Sequence, residues 1–269
     1  MVFRVHCIFL FGFLLAVMTL ALPANDSSDV HKHERKKRDT VETSSCKQRI
    51  KKDGMSLFND GIYNLTMINM THKGDFFGSL KSVLDIMQKD RNVAMKRIEK
   101  GLNESFPQSS NSLREQIKNG SSLEATLVFM YTEDYIYEYL NTVLRNHHCT
   151  YKVLTQKDKN MAAYATALLA TLLYWKDLRK FSETTFRVIS YIPNINEAIL
   201  KYEINSNVVF PAFTSASKCL LLYMATSKYC IILKIDNSQH SLWSPNYIAK
   251  HSAFKIENET LYPSSAEFR

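Results

Sequence analysis

Glu257-Asn258-Glu259-Thr260-Leu261-Tyr262-Pro263 puts two carboxylates two residues apart, followed by an apolar pair and a proline. Read as a strand over residues 256–262, positions i and i+2 point to one face, so both carboxylates enter the same space. Two carboxylates sharing a cleft can divide labour: one meets positive charge in a transition state, the other orients or deprotonates a nucleophile. The same spacing also describes a solvated strand face near a chain end, so its meaning depends on what stands upstream.

Working back from it, residues 184–192, 208–215 and 229–235 are also β-branched and aromatic, with Pro, Asn and Ser turns between them. The first half has a different texture. From 75 to 102 apolar residues recur at helical spacing (Phe77, Leu80, Val83, Leu84, Met87), which predicts one or two amphipathic helices. Residues 103–111 read as a Ser/Pro/Asn-rich loop, 123–144 as helical with Thr132 an internal start, and 160–173 as an Ala/Leu-rich apolar helix. Tyr131, Tyr135 and Tyr139 follow at i+4 steps, a stripe read as core packing, and 58–61 reads as a turn before Tyr63. Helices first and strands second predict an α+β domain, with helices packed on a mostly antiparallel sheet.

The glycines exclude several enzyme classes. The last one is Gly120, and neither Gly-x-Gly-x-x-Gly nor Gly-x-x-x-x-Gly-Lys can be written anywhere. A Rossmann dinucleotide site and a P-loop are therefore excluded on motif grounds, and Ser-His-Asp hydrolysis lacks its Gly-x-Ser-x-Gly elbow.

At the other end, Arg4, the apolar run over 7–22 and the small residues around Ala21 and Ala24 read as a signal peptide over 1–24, an uncleaved anchor being the alternative. Arg35-Lys36-Lys37-Arg38 reads as a proprotein cleavage site closing a pro-segment over 25–38, or as a solvated charge run. The remainder, 39–269, is one domain, beginning with an extended arm tied down through Cys46. Losing residues 1–38 removes six Lys/Arg and three Asp/Glu, so the net charge of +8 falls to +5. That charge is spread rather than striped, which gives nucleic-acid binding no support. Cys46, Cys149, Cys219 and Cys230 suggest two disulfides with three possible connectivities. His147-His148-Cys149 lacks the remaining ligands of a zinc site and reads as a loop with a disulfide cysteine. Sequons at Asn64, Asn69, Asn103 and Asn119 agree with a secreted, extracellular glycoprotein.

Three features of the strand-rich half come in a fixed order. Arg187, in Thr185-Phe186-Arg187-Val188, is costly to bury in an apolar strand unless an anion pairs with it, and phosphate suits its forked donors; a snorkelling surface arginine is the alternative. Next comes Phe210-Pro211-Ala212-Phe213-Thr214-Ser215-Ala216-Ser217, aromatic residues leading into a hydroxyl-rich strand, and then Glu257-Asn258-Glu259.

This order resembles the arginine-specific mono-ADP-ribosyltransferases of the vertebrate ecto-enzyme type, marked by an Arg, a Ser-x-Ser strand and a Glu-x-Glu. Residues 257–268 look like the family's Glu-x-Glu-Val-Leu-Ile-Pro-Pro-Phe-Glu-x-Phe, and 210–217 like its Phe-x-x-Phe-Thr-Ser-x-Ser. Residues 58–63 resemble its Asp-Asp-x-Tyr segment with one extra residue, and 127–145, carrying Tyr131-Thr132 and Leu140-Asn141, its Tyr-Thr and Phe-Asn helix. The resemblance covers roughly residues 55–268.

It implies an ADP-ribosyltransferase-like split β-sandwich with a helical N-terminal part, holding NAD (or NADP) as substrate and using no metal. Carried over by position, Arg187 grips the phosphates, Ser215 positions the catalytic carboxylate and ribose, and Phe210 and Phe213 flank the nicotinamide. Glu259 is the catalytic glutamate and Glu257 holds the acceptor guanidinium. The implied partners are proteins with an exposed arginine, met by a monomer with no nucleic acid and no stable membrane anchor. The same scaffold also accommodates an NAD glycohydrolase or a catalytically inactive secreted binding domain. Val188 stands where the family has Gly, 237–252 is poorly matched, and Asn258 makes a sequon inside the motif. No apolar tail follows Phe268, so the lipid-anchor signal of many relatives is missing and secretion is expected.

Overall fold

Helices fill the first part of the chain and strands the second, so the α+β expectation holds. The computed structural model describes residues 2–6, 56–68, 75–149, 154–190, 208–219, 230–239 and 241–268. The arm expected over 39–55 with Cys46, the whole pro-segment over 25–38, and all of the leader but residues 2–6 lie outside the described residues.

Among the described residues eight α-helices lie before Thr185: α1 over 56–66, α2 (Phe76–Lys89), α3 (Arg91–Ser105), α4 (Pro107–Lys118), α5 (Leu123–Thr132), α6 (Asp134–Cys149), α7 (Gln156–Asn160) and α8 (Ala162–Tyr174). The periodicity over 75–102 resolves into two of them, broken at Asp90. α2 buries Leu80, Val83, Leu84 and Met87, and α3 buries Ala94, Ile98 and Leu102 at steps of four. Capping sets other ends. Ser122 accepts from the Ala125 amide at the start of α5, and Thr155 and Asp158 form a capping box on α7. α8 lies at the centre of the helical layer, with every residue from Ala162 to Leu173 buried. No helix among the described residues is long and apolar enough to cross a membrane.

Three local expectations fail in this half. Residues 58–61 are not a turn but part of α1. Gly61 is there because α1 and α8 touch: a Cβ on it would stand 2.0 Å from Thr166 Oγ1 and 2.2 Å from the Ala162 carbonyl. Residues 103–111 are not a loop, because α3 runs to Ser105 and α4 begins at Pro107. A proline at the first helical position gives up only an amide that has no partner there. His147-His148-Cys149 closes α6 instead of forming a loop.

The strands are β1 (Val2–His6), β2 (Thr185–Ser190), β3 (Val208–Phe210), β4 (Thr214–Ser217), β5 (Cys230–Asp236), β6 (Asn246–Tyr247), β7 (Glu259–Tyr262) and β8 (Ala266–Phe268). Six form an antiparallel sheet in the order β1-β5-β2-β4-β7-β6, and β3 pairs with β8 in a second sheet. β1, in the stretch read as a signal peptide, lies along β5; a chain without it leaves β5 as the sheet edge. The strand expected over 208–215 is two strands in two sheets, divided at Pro211, which has no amide to continue a ladder.

Two cores result. The larger packs the helices on one face of the six-stranded sheet and takes in Phe213, Ile248 and Leu261. The smaller lies between the two sheets and takes in Ile189, Phe210, Leu233, Tyr262 and Phe268. β7 separates them: Leu261 points into the helical core and Tyr262 into the inter-sheet core, as strand alternation requires.

Candidate active site

β4 and β7 pair in the register Ser217↔Glu259, Ala216↔Thr260, Ser215↔Leu261 and Thr214↔Tyr262. Residues directly opposite or diagonal share a face, so Ser215, Ser217 and Glu259 point together toward the helical layer. Glu259 is 6% exposed. A carboxylate so buried needs donors on its oxygens, and it has them. Ser215 Oγ donates to Oε1, and Ser252 Oγ donates to Oε2 at 3.1 Å. Ser217 does different work: its hydroxyl donates to the Glu257 carbonyl at 2.9 Å and accepts from the Cys219 amide at 3.0 Å. The first serine holds the carboxylate, the second the chain leading into it. Cys219 is a free thiol, and the side chains of Cys46, Cys149 and Cys230 lie outside the described residues.

Arg187 stands at the split in the sheet. β2 pairs with β5 from Thr185 to Ser190 but meets β4 at one pair, Phe186↔Ser217. Where the strands part, Arg187 Nη1 donates to the Ser215 carbonyl at 2.6 Å, in place of a ladder bond. Arg187 is half-buried, and a guanidinium is a fork of five N–H donors. Arg187 and Glu259 both act on Tyr131 of α5. Burial above all pushes this phenol well above its ordinary value, Tyr137 adds to that and a bond from Asn141 opposes it; Glu259 raises it further and Arg187 lowers it. Arg187 and Glu259 are thus linked through Ser215, whose carbonyl accepts from the guanidinium and whose hydroxyl donates to the carboxylate.

Glu257 does not share the strand face of Glu259. It ends a 3₁₀ turn (Lys255–Glu257), and Asn258 follows with φ 47° and ψ 46° before β7 begins. Asn is one of the few residues other than Gly that enter this left-handed region readily. The alternation expected over 256–262 therefore breaks at Asn258, and Glu257 is placed by its main chain, bonded to Ser217 Oγ and to Phe254. Asn258 Oδ1 accepts from the Tyr247 hydroxyl at 3.0 Å, and Tyr247 stacks on Phe181. The side chain of the sequon asparagine is thus bonded to the protein through Tyr247.

Phe210 and Phe213 do not form a pair. The chain turns at Pro211-Ala212 and sends them into different cores. The Phe210 ring packs on Phe268 and Tyr262 at 4.6 and 5.9 Å, and the Phe213 ring on Tyr131 and Phe58 at 5.6 and 6.5 Å. Both are buried, so neither is open to stack on a ligand.

The residues that sequence reasoning missed are those that hold the site from behind. Ser252 lies in the poorly matched stretch 237–252, and a lone serine in a loop carries no periodic signal. Thr132 Oγ1 accepts from the Ala253 amide at 2.8 Å. The Tyr131 hydroxyl donates to the Phe213 carbonyl at 3.0 Å and accepts from Asn141 Nδ2 at 2.8 Å. Tyr131-Thr132 and Asn141 were visible as parts of a motif, but only the fold shows that they fasten the ends of β4 and of the loop before β7.

A cavity of about 590 Å³ lies elsewhere, among α1, α3, α7 and α8, with Asp60, Tyr63, Arg97, Lys100, Glu104 and Lys159 in its wall. None of the expected site residues lines it. Among the described residues no group of three or more His, Cys, Asp or Glu could hold a metal ion.

No protein-family model matches the chain, and no curated protein matches it. Among solved structures it is similar to exoenzyme S from Pseudomonas aeruginosa, crystallised with human 14-3-3 protein beta and carba-NAD. That match has 16% identity over 65% of this chain and 78% of that chain, with a TM-score of 0.42. The ADP-ribosyltransferase HopU1 of Pseudomonas syringae pv. tomato matches at 13% identity over 85% of this chain and 90% of that chain, TM-score 0.40. The eucaryotic mono-ADP-ribosyltransferase ART2.2 matches at 14% identity over 82% of this chain and 79% of that chain, TM-score 0.39.

Proposed function

We propose that this chain transfers ADP-ribose from NAD to arginine side chains of proteins, in a secreted setting, releasing nicotinamide. The observation that carries the reading is the buried Glu259 carboxylate bonded by Ser215 from the neighbouring strand, with Arg187 bonded to the same serine's carbonyl. These three residues are members of the Arg…Ser-x-Ser…Glu-x-Glu order of the sequence, and their bonds to one another support the reading.

The donor set suits the substrate. Breaking the nicotinamide–ribose bond sends its electron pair to nicotinamide and leaves positive charge on the ribose. A carboxylate fixed beside that carbon opposes the charge without having to reorganise. Glu259 takes that role. Arg187, whose forked guanidinium suits phosphate, takes the diphosphate. The acceptor nitrogen then bonds to the ribose carbon and loses its proton. Glu257, half-buried one residue before the left-handed Asn258, is the carboxylate assigned to the acceptor guanidinium.

One observation favours a second reading, NAD glycohydrolysis. Glu257 stands off the strand, so β7 does not aim its carboxylate as it aims that of Glu259. If Glu257 fails to hold a guanidinium, water becomes the acceptor. Incubating the protein with NAD labelled in the adenosine half, with agmatine or a protein acceptor and with water alone, separates the two. Label on the acceptor supports transfer, free ADP-ribose alone supports hydrolysis, and intact NAD in both arms refutes both. Within the transfer reading, Glu257→Ala spares hydrolysis relative to transfer, and equal loss of both rates removes Glu257 from the acceptor role.

A further inference from the structure

Glu259 is gripped twice by one short segment. The Ile248 amide donates to the Glu259 carbonyl at 3.0 Å, and Ser252 Oγ donates to the carboxylate at 3.1 Å. Between these two points the segment closes on itself, since the amides of His251 and Ser252 both donate to the Ile248 carbonyl, at 2.8 and 2.9 Å. Ser252 is 1% exposed, and its hydroxyl also accepts from the Phe254 amide at 3.0 Å. One residue on, the Ala253 amide donates to Thr132 Oγ1 at 2.8 Å, and Thr132 Oγ1 in turn donates to the Phe129 carbonyl at 2.7 Å. A continuous hydrogen-bonded path thus runs from the last turn of α5, through Thr132 and the loop over 248–254, to the side of the carboxylate that Ser215 does not reach.

We propose that Ser252 is a positioning residue for Glu259, and that Thr132 holds Ser252 in place from the helical layer. This rests on Glu259 being the group that faces the ribose. A single donor on one oxygen leaves a carboxylate free to turn about its last torsion. Donors on both oxygens, from β4 and from the loop, fix its plane. Two donors also favour the ionised form, the only form that opposes a positive charge. Ser252 touches no reacting atom and acts through Glu259.

The test uses the full chain with Ser252→Ala, Thr132→Val and Thr132→Ser, and with Ser215→Ala as the comparison from the other oxygen. Two readouts are taken: steady-state NAD cleavage, and the titration of the Glu259 carboxyl followed by carbon-13 NMR and assigned through Glu259→Gln. Ser252→Ala is expected to lower kcat about tenfold, the loss of one hydrogen bond to a charged group, while KM for NAD stays within about twofold. The carboxyl midpoint is expected to rise, because a donor to the charged form is gone. Thr132→Val moves both readouts the same way by less, and Thr132→Ser, which keeps the hydroxyl, leaves them near wild type. Should Ser252→Ala fail to fold, the two threonine variants carry the same decision. An unchanged midpoint in Ser252→Ala, or in both threonine variants, overturns the proposal. A raised midpoint in a protein that never cleaves NAD supports the positioning of Glu259 and refutes the transferase reading instead.

Discussion

α8 from Ala162 to Leu173 and the whole of β7 are buried, yet what they bury differs. From Ala162 to Leu173 α8 carries alanines and leucines, and each of its polar side chains donates to a main-chain carbonyl. Tyr164 bonds to Leu127, Thr166 to Phe58 and Thr171 to Ala167. Over that stretch the polar side chains serve the helix's own packing. β7 has four residues, all buried, and one is a carboxylate whose oxygens are held by serines from two other elements. Burying that charge costs stability that a leucine would not cost. The helix is built to hold the molecule together, and the strand to keep one charge aimed. Changes in the first should therefore appear in stability and changes in the second in chemistry.

The largest expected effect separates the two. Glu259→Gln removes the charge but keeps the shape, and it should lower NAD cleavage about a hundredfold or more while the protein stays folded. Nicotinamide release together with thermal unfolding checks this. Activity retained near the wild-type level takes Glu259 out of the catalytic role and removes the reason for its burial.

Gly61→Ala makes the converse cut. The added methyl would meet Thr166 Oγ1 and the Ala162 carbonyl far inside contact distance, so α1 and α8 must move apart. Overpacking of this kind costs about 1–3 kcal/mol of stability, occasionally more. Denaturant titration should show that loss, and nicotinamide release per folded molecule should not change. A fall in activity at constant folded fraction would show that the helical layer steers the site directly.

Tyr262→Phe sharpens the contrast inside β7 itself. The Tyr262 hydroxyl closes a ring: Asn237 Nδ2 donates to Thr185 Oγ1, that hydroxyl bonds to the Tyr262 oxygen, and Tyr262 donates to Asn237 Oδ1. Removing it leaves two buried partners short of a bond, a loss of about 1–3 kcal/mol. The ring lies on the inter-sheet face, opposite Glu259, so stability should fall while kcat holds. Equal losses in both would mean that the two faces of the strand do not act separately.

How far this division was legible in the sequence follows from the same residues. Helical periodicity found α2, α3 and α8, and β-branched runs found β2 and β5, because a buried face leaves a repeating pattern. The failures came where one residue type serves two geometries. Gly61 reads as a turn by composition, but it is there for a helix contact formed 100 residues later in the chain. Pro107 reads as a helix breaker and starts a helix. Asn258 reads as a strand residue and adopts a left-handed conformation, which moves Glu257 off the face it was given. Ser215 and Glu259 were singled out because the motifs that carry them follow a known order, and the strand register brings the two side chains together. Ser252 was not found, because a hydroxyl that reaches a carboxylate from a loop leaves no spacing to read.

The smallest expected effect concerns the joint between the two regions. His251 sits in the loop that grips Glu259, and its ring lies 5.2 Å from that of Trp175, the residue closing α8. Burial chiefly, with Lys250 adding to it and Asp177 opposing, pushes the imidazole below its ordinary value. The unfolded chain then takes up a proton first as pH falls, so the unfolded state binds more protons in the window just below about 6.5. Stability is accordingly present above that value and is lost as pH drops through the folded value. His251→Gln removes the titration, so the difference in unfolding free energy between about pH 7.5 and pH 5.5 should shrink relative to wild type. The other histidines contribute equally to both proteins and cancel in that comparison. Because the same loop carries Ser252, acid should also loosen the grip on the carboxylate, and the variant should keep more of its kcat at the lower pH. Identical pH dependences in the two proteins would place the acid sensitivity elsewhere and leave the end of α8 uncoupled from the loop.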